Sequence, residues 1–369
     1  MKEKVLITGG AGFIGSNTAD ALKEKGFSVR IMDLLEPPVH NGAWPSYIKK
    51  KGFDLLKGDV RKKNDWMKAL RGVTYVIHLA AYQDQRPDFS KFFDTNTTSS
   101  ALLYECIVEK KFPIKKVILA SSQFVYGDGQ YKCAKTKKIF YAPLRTLKQF
   151  EKKEWNIKCP CHGEDAIQIP FEEDQIIMPT NSYGLSKKAI EDLSLRLGMT
   201  YQIPTTLYRY SIVQGARQSP RNLYSGALRI FVSQALSGLP ITVYEDGLGT
   251  RDFVNVHDVV AANILALKNK KTDFEIFNVG GGKAYHVLDF AKKVKKITNS
   301  KSEIVVGGFR RTDTRNAVSN ISKFKKIGRK PKYNIDQSIK EYVTWFKNEG
   351  FDKKVDKNRL KKLKEGIRL

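Results

Sequence analysis

The chain has 369 residues, 41% of them hydrophobic and 28% charged, and a formal net charge of +27 at pH 7. This length is enough to bury a full core and allows two or three domains in a globular protein. No apolar run approaches the roughly 20 residues that span a bilayer. The N-terminal stretch "MKEKVLITGG" enters a strand at once instead of a signal peptide, so the sequence predicts a cytoplasmic protein.

Lysine supplies most of the positive charge and is densest in "DKKVDKNRLKKLKEGIRL", residues 352–369. The sequence has no basic strand with interleaved aromatic residues of the kind that binds RNA. The charge therefore favours a solvated lysine-rich surface that attracts anionic ligands over contact with nucleic acid or a membrane. The four cysteines are too few for a fold that depends on disulfides at this size.

Apolar strands alternate with helical patterns through the first half of the chain, which predicts an α/β protein with a doubly wound parallel sheet. The predicted strands are residues 5–8, 28–32, 55–57, 73–79, 116–120 and 205–210, and the predicted helices are residues 13–25, 94–110 and 182–198. The alternation breaks over residues 128–178, which contain three of the cysteines and look like an insertion. We predict a first domain over residues 1–210 and a smaller α/β substrate-binding lobe over residues 211–369, from which residues 250–280 return to the first domain.

The stretch "LITGGAGFIGS" places three glycines where the first predicted strand gives way to a helix. Such glycines allow a tight turn, a close approach of a pyrophosphate to the backbone and close packing of helix on strand. The helix N-terminus adds unpaired N–H groups that attract the anion. The residues of this turn that we assign to a dinucleotide are Gly9, Gly12, Phe13, Ile14 and Gly15.

An acidic residue, Asp33, ends the second predicted strand, 18 residues after Gly15. A carboxylate there accepts hydrogen bonds from ribose hydroxyls and repels a 2′-phosphate. No arginine follows in "DLLEPPVH", so NAD is favoured over NADP. Further along, we expect Asp59 and Val60 to face the adenine. The "HLAAY" residues Leu79, Ala80 and Ala81 would close over the middle of the cofactor, and ordinary packing at strand ends is the alternative for each of these positions.

The stretch "SYGLSKK" places Tyr183 and Lys187 four residues apart, on one face of a predicted helix. At this spacing the ammonium can lower the pKa of the phenol and bind a ribose hydroxyl, which would make Tyr183 a useful base at neutral pH. Such a pair also arises by chance in a lysine-rich chain. The stretch "LASSQFVYG" supplies hydroxyls at a strand end, and we choose Ser122 over Ser121 as the group that bonds the same substrate oxygen.

Taken together, these motifs resemble those of extended short-chain dehydrogenases/reductases, in particular the NAD-dependent nucleotide-sugar epimerase/dehydratase family. The matching stretches are "TGGAGFIGS", Asp33, "GDV", "HLAA", "SSQFVYG", "YGLSK", "RDFVNVHDV", "FNVGGG" and "RRTDTR", and they cover nearly the whole chain. The resemblance implies a Rossmann-type fold, tightly bound NAD and a nucleotide-sugar substrate. The helices near residues 94–110 and 183–197 resemble the dimer contact of the family and predict a homodimer.

The resemblance implies transient oxidation at C4 of the sugar. Tyr183 takes the proton of the C4 hydroxyl, Ser122 assists, Lys187 binds the nicotinamide ribose, and hydride passes to NAD and returns to the opposite face. Tyr210 resembles the contact of the family on the nicotinamide side. Asn96, in the central predicted helix, is counted with the cofactor-binding residues, with a purely structural role as the alternative.

A nucleoside diphosphate offers oxygens that suit a guanidinium fork. Arg217, Arg251 and Arg315 lie at positions similar to those of the family for this contact, although a single arginine is more often an ion-paired or surface residue. Three further candidates for the sugar or base pocket are Gln123, Asn222 and Tyr224.

The residues after Ser122 distinguish between reactions within the family. Its 4,6-dehydratases resemble one another in an acidic pair at this place, and its uronate decarboxylases usually carry glutamate at the second position. This chain has Gln123 and Phe124, neither of which exchanges a proton, so a 4-epimerase is favoured. The dehydratase and the decarboxylase are the enzymatic alternatives, and a NAD-binding scaffold with a basic surface for nucleic acid is the alternative outside enzymes.

The insertion resembles that of the dTDP-L-rhamnose 4-epimerase-like subgroup, and the chain as a whole is similar both to that subgroup and to UDP-glucose 4-epimerase-like proteins. Its potential soft ligands for a metal are Cys133, Cys159, Cys161 and His162, in two clusters about 25 residues apart as in a zinc ribbon. The first cluster is reduced to Cys133, with Thr136 three residues further on. Two interpretations stay open: a degenerate structural zinc site, or free thiols in a loop that retains only its shape.

Overall fold

The largest element of the computed structural model is a seven-stranded parallel sheet, and the structure describes residues 2–84, 86–222 and 226–362. The strands in chain order are β1 (Lys4–Thr8), β2 (Ser28–Asp33), β3 (Asp54–Lys57), β4 (Tyr75–His78), β5 (Lys116–Ser122), β6 (Gln130–Lys132), β7 (Ile139–Tyr141), β8 (Ile167–Gln168), β9 (Thr205–Tyr210), β10 (Ile212–Gln214), β11 (Ile241–Val243), β12 (Thr250–Asn255), β13 (Glu275–Val279), β14 (Ala284–His286) and β15 (Ile304–Val306).

The helices cover both faces of this sheet and build the rest of the molecule. In chain order they are α1 (Phe13–Glu24), α2 (Ser46–Lys49), α3 (Lys63–Ala69), α4 (Phe89–Phe92), α5 (Ser99–Lys110), α6 (Leu147–Glu151), α7 (Ser182–Thr200), α8 (Ala227–Leu236), α9 (Val256–Lys268), α10 (Val287–Thr298), α11 (Ser322–Lys326), α12 (Ile335–Asn348) and α13 (Lys357–Lys362). A π-helical segment, Phe93–Thr98, leads into α5, so the predicted helix over residues 94–110 exists with a wider first turn. In the described ranges no helix combines the length and apolarity that crossing a bilayer requires.

The order of the large sheet is β13-β9-β5-β4-β1-β2-β3, with every pair parallel. Alternating side chains of its strands enter two cores, as Val5 and Ile7 on one face and Leu6 on the other illustrate. The chain order reverses between β1 and β4, and a cleft opens at such a switch point beyond the carboxyl ends of the strands. The predicted Rossmann-type doubly wound sheet is confirmed.

The smaller lobe has its own apolar core, in which α8, α10 and α12 pack together. Its sheets are β10-β12-β14 and β11-β15. The chain returns from this lobe to the large sheet, because α9 packs on α1 and β13 pairs with β9 at the sheet edge. The region predicted as an insertion forms a separate small sheet in the order β7-β6-β8.

Candidate active site

A cavity of about 620 Å³ lies beyond the carboxyl ends of the strands of the large sheet. Its lining residues from 9 to 210 form one side, here called the sheet half, and those from 211 to 317 form the other side, the lobe half. One continuous space therefore joins the glycine turn to the arginines of the smaller lobe. Of the predicted cofactor-binding residues, the cavity is lined by Gly9, Gly12, Phe13, Ile14, Gly15, Asp33, Asp59, Val60, Leu79, Ala80, Ala81, Tyr183, Lys187 and Tyr210.

The glycine turn brings the chain too close to itself for side chains. Gly9 has φ +64°, and a Cβ there would lie 2.8 Å from the nitrogen of Ala80, while a Cβ at Gly15 would lie 2.4 Å from the oxygen of Gly9. Among the described residues, no side chain caps the start of α1 and none of its first turn is acidic. Its N–H groups thus face the cavity beside a bare backbone, which fits a pyrophosphate.

The Asp33 carboxylate ties the glycine turn to the end of β2. It accepts hydrogen bonds from the backbone nitrogens of Ala11, at 3.0 Å, and Leu35, at 2.9 Å. Both oxygens are fixed in orientation by these bonds and keep further acceptor capacity for ribose hydroxyls. The residues present therefore fit the adenosine end of NAD.

Asn96 does not line this cavity, which differs from its assignment to the cofactor. It is fully buried, accepts from the nitrogen of Tyr82 at 2.7 Å, and donates to the oxygen of Tyr82 and to Ser186 Oγ, each at 3.0 Å. Its amide is thus used in joining the loop after β4 to α7. The structural role that the sequence left as the alternative describes this geometry.

The three predicted catalytic residues meet where β5 and α7 approach each other. Ser122 ends β5 and accepts a hydrogen bond from the nitrogen of Phe124 at 3.2 Å. The Lys187 ammonium donates to the oxygen of Ala120 at 2.8 Å and lies 5.6 Å from the centre of the Tyr183 ring. All three line the cavity, so a single sugar oxygen can contact the serine and the tyrosine together.

Burial is the main cause of the pKa shifts of Tyr183 and Lys187. It raises the pKa of Tyr183 to about 12, and a hydrogen bond with Ser122 opposes the shift. It also lowers the pKa of Lys187 to about 8, against the charge of Glu191. In the protein by itself desolvation is the larger effect on the pKa of the phenol, and its lowering by the Lys187 ammonium together with bound nicotinamide stays a prediction.

A buried ion pair behind the catalytic residues was not predicted from the sequence. Arg209 on β9 donates to both carboxylate oxygens of Glu191 on α7, at 2.9 and 2.7 Å. Ser121, the serine not chosen for catalysis, donates to the same carboxylate. These bonds fix α7, and with it Tyr183 and Lys187, against the strand ends.

The arginines predicted for the diphosphate separate into two groups. Arg251 lines the cavity, and burial lowers the pKa of its guanidinium. Arg217 lies outside the lining: it pairs with Asp20 at 2.7 Å and stacks 4.7 Å from the centre of the Tyr47 ring. Arg315 also lies outside, where Glu245 and Asp246 take its guanidinium at 2.9 and 2.6 Å. Arg217 and Arg315 thus differ from the predicted diphosphate contacts because the fold places acidic partners beside their guanidinium groups.

Two other arginines line the lobe half and were missed. Arg310 lies 4.8 Å from the centre of the Tyr244 ring and belongs to the quoted "RRTDTR" stretch, of which only the last arginine was selected. Arg229 is buried on α8, and burial lowers its pKa to about 10. An arginine within the apolar stretch "ALRIFVSQAL" was the available sign of a buried cation.

The residues predicted to meet the sugar or the base lie in the cavity where the structure describes them. Gln123 and Asn222 line it, and Tyr224 lies outside the described residues. Among the described residues, the buried oxygens Gln123 Oε1 and Gln218 Oε1 have no hydrogen-bond partner. Such acceptors next to a cavity suit the hydroxyls of a carbohydrate.

In the insertion, three of the four predicted metal ligands come together. Cys133 Sγ lies 3.6 Å and Cys159 Sγ 3.8 Å from Nδ1 of His162. The Cys161 side chain is exposed and does not join this group.

A Rossmann-type sheet whose cavity combines a glycine turn with a serine and a Tyr-x-x-x-Lys pair defines a short-chain dehydrogenase/reductase. The chain belongs to the NAD dependent epimerase/dehydratase family, whose model matches residues 5–152 and 160–280. The predicted family is thereby confirmed, and with it an enzyme of the epimerase type.

Relatives and solved structures agree with this assignment. The chain is 30% identical to dTDP-L-rhamnose 4-epimerase of Burkholderia thailandensis, over 94% of this chain and 96% of the relative. It is 30% identical to a putative UDP-glucose 4-epimerase of Methanocaldococcus jannaschii, over 93% and 98%. The crystal structure of the Thermus thermophilus UDP-glucose 4-epimerase in complex with NAD covers 93% of this chain and 99% of its own, with a TM-score of 0.74 and 27% identity.

Proposed function

We propose that the protein is a NAD-dependent nucleotide-sugar 4-epimerase. The observation that carries this proposal is the single cavity in which Ser122 and Tyr183 lie between the glycine turn and the arginines of the lobe half. A dinucleotide bound at the glycine turn and a nucleotide sugar bound at the arginines would meet at the tyrosine. The similarity to two relatives named 4-epimerases supports the same reaction.

Each catalytic residue has its own role in the proposed reaction. Tyr183 takes the proton of the C4 hydroxyl and later returns it, and Ser122 fixes the same oxygen by a hydrogen bond. When bound, NAD would supply a reversible hydride acceptor for C4. Lys187 binds the nicotinamide ribose, and its ammonium favours the phenolate form of Tyr183 against the effect of burial.

The lobe half supplies positive charge for a diphosphate. Arg229, Arg251 and Arg310 line it, so we assign the phosphate contacts to these three residues. Gln123, Gln218 and Asn222 are the proposed contacts of the sugar or base. A substrate anchored at the diphosphate leaves the 4-keto sugar free to turn and present its other face before the hydride returns.

The alternatives within the family differ in the acid they require. A 4,6-dehydratase exchanges a proton at C5, and a uronate decarboxylase typically carries a glutamate two residues after the serine. Gln123 and Phe124 line the cavity at these places, and neither side chain carries a carboxyl group. This favours simple epimerisation.

The proposal is tested by incubating the NAD-loaded enzyme with dTDP-, UDP- and GDP-sugars in deuterated water and recording NMR spectra. We expect inversion at C4 with no deuterium at C5 for at least one sugar. Deuterium at C5, loss of water or release of carbon dioxide would instead establish one of the alternative reactions.

We also infer a homodimer. Exposed apolar side chains lie close to the segments predicted to form its contact, including Phe93 before α5 and Leu185 and Met199 on α7. A second copy of the chain would cover them and remove apolar surface from water. Sedimentation equilibrium of the purified protein should give twice the chain mass, and a monomeric mass would contradict the inference.

A further inference from the structure

We propose that the insertion binds one zinc ion through Cys133 Sγ, Cys159 Sγ and His162 Nδ1, with a fourth coordination position beside Thr136 that water can fill. This inference does not depend on the proposed reaction. Each thiol would lose its proton to solvent on binding, as metal thiolates require.

The two cysteines open turns with the same backbone pattern. The nitrogen of Cys133 donates to the oxygen of Lys138 five residues on, and the oxygen of Cys133 accepts from the nitrogen of Lys137 four residues on. Cys159 makes the same two bonds, with Glu164 and Gly163. The fourth residue after each cysteine is left-handed, with φ +60° at Lys137 and +70° at Gly163.

Both turns also connect segments that pair in antiparallel fashion. The first joins β6 to β7, and the second lies between Lys158 and Asp165, which form an antiparallel bridge. Two such turns facing each other give the scaffold of a zinc ribbon, in which the ligands are the first and fourth residues of each turn. Here these four positions are Cys133, Thr136, Cys159 and His162.

The distances between the ligand atoms suit a tetrahedral ion. With zinc–sulfur and zinc–nitrogen bonds of about 2.3 and 2.0 Å, a tetrahedron places sulfur and nitrogen about 3.5 Å apart. Cys133 Sγ and Cys159 Sγ lie 3.6 and 3.8 Å from His162 Nδ1, and the three ligand atoms all lie within 4.8 Å of one another. The backbone nitrogen of Thr136 donates to Cys133 Sγ at 3.4 Å, the kind of bond that stabilises a metal thiolate.

The ion would close the loop of residues 134–158, which contacts the wall of the cavity. Within this loop, Arg145 pairs with Glu245 at 2.7 Å, and Phe150 stacks on Phe309 at 4.8 Å. Glu245 lines the cavity, and Phe309 precedes Arg310 in the sequence. Fixing the ends of the loop lowers its conformational freedom and so steadies this wall.

The experiment measures metal in full-length protein that carries no metal-binding tag. The reduced protein is reconstituted with zinc, passed through a desalting column and analysed by mass spectrometry of the elements. We expect about one zinc per chain for the parent and for Cys161→Ser, the matched control from the same turn. We expect near-complete loss of zinc for Cys159→Ser and His162→Ala.

Cobalt substitution shows directly whether the thiolates coordinate the metal, independently of any effect of a variant on folding. The cobalt-loaded parent should show thiolate-to-metal charge transfer in the near ultraviolet and the strong visible bands of a tetrahedral site. Thr136→Cys, which adds a fourth ligand and a third thiolate, should intensify the charge transfer and retain metal at chelator concentrations that strip the parent. Thr136→Ala should behave as the parent does.

Three outcomes would overturn the proposal. The first is a reconstituted, folded parent that retains no metal. The second is equal loss of zinc in Cys161→Ser and Cys159→Ser. The third is a disulfide between Cys133 and Cys159 that forms in the presence of both zinc and reductant, shown by mass spectrometry of the peptides.

Discussion

In the sheet half of the cavity, functional side chains follow directly from the ends of parallel strands, whereas in the lobe half they reach the cavity on long side chains from separate segments. Gly9, Asp33 and Ser122 lie at or just after the carboxyl ends of β1, β2 and β5. Arg229, Arg251 and Arg310 come from a helix, a strand and a loop. Backbone geometry thus positions the functional side chains of the sheet half. In the lobe half, the charged partners that the fold brings near each arginine decide where its side chain lies.

Removing the Tyr183 hydroxyl should have the largest effect on activity and tests the sheet half. Tyr183→Phe should lower kcat about 10²- to 10⁴-fold, because the phenol is the proposed base for the C4 proton. NAD binding, followed by fluorescence, should persist. Tyr201→Phe, at the exposed end of the same helix, serves as the control and should keep the activity of the parent. Unchanged turnover in Tyr183→Phe would refute the proposed base.

Two arginine substitutions test the lobe half. Arg310→Ala should raise KM for the nucleotide sugar about 10- to 100-fold, since it removes a charged donor to the diphosphate. Arg217→Ala should leave KM unchanged and lower the free energy of unfolding by about 1 kcal/mol, through loss of its pair with Asp20. The reverse pattern in steady-state kinetics and urea unfolding would show that the first assignment from sequence was right.

Tight burial of His78 at the end of β4 also predicts a pH dependence of stability. Burial, together with the charge of Lys187, lowers the pKa of His78 from 6.5 to about 3. Below pH 6.5 the unfolded chain therefore binds a proton that the folded chain does not. The free energy of unfolding should fall with decreasing pH from about 6.5 toward 3, by about 1.4 kcal/mol per pH unit from this residue.

The contribution of His78 is measured by comparing urea unfolding of the parent and His78→Gln at several pH values. The variant should lose this share of the slope, while the exposed control His286→Gln should keep it. Identical slopes in the parent and His78→Gln would mean that the ring accepts a proton inside the fold.

The smallest expected effect links the insertion to the lobe half. Stripping zinc with a chelator should raise KM for the nucleotide sugar several-fold and leave kcat almost unchanged, because the loop supports the cavity wall without touching the reacting atoms. Readdition of zinc should restore KM. A proportional loss of kcat would place the insertion in the chemistry itself.

The outcome for single residues shows what kind of information a sequence carries. The glycine turn, Asp33, Ser122 and the Tyr183–Lys187 pair all line the cavity, because each belongs to a strand–turn–helix unit whose local geometry is fixed by the backbone. Arg217 and Arg315 lie outside the cavity lining, and no sequence pattern indicated this because their partners Asp20 and Asp246 lie far away in the sequence or outside any recognised motif. The outcome therefore depends on whether a residue is placed by local backbone geometry or by partners remote in the sequence.

The sequence by itself determined the doubly wound sheet, the family and the residues at the strand ends, because strand alternation and short motifs are local properties of the chain. Only the tertiary structure decided the pKa of Tyr183, which side chains line the lobe half, and the meeting of Cys133, Cys159 and His162. These properties depend on burial and on distances between residues remote in sequence. The spacing of Cys133, Cys159 and His162 indicated candidate ligands, but no local pattern shows which of them meet.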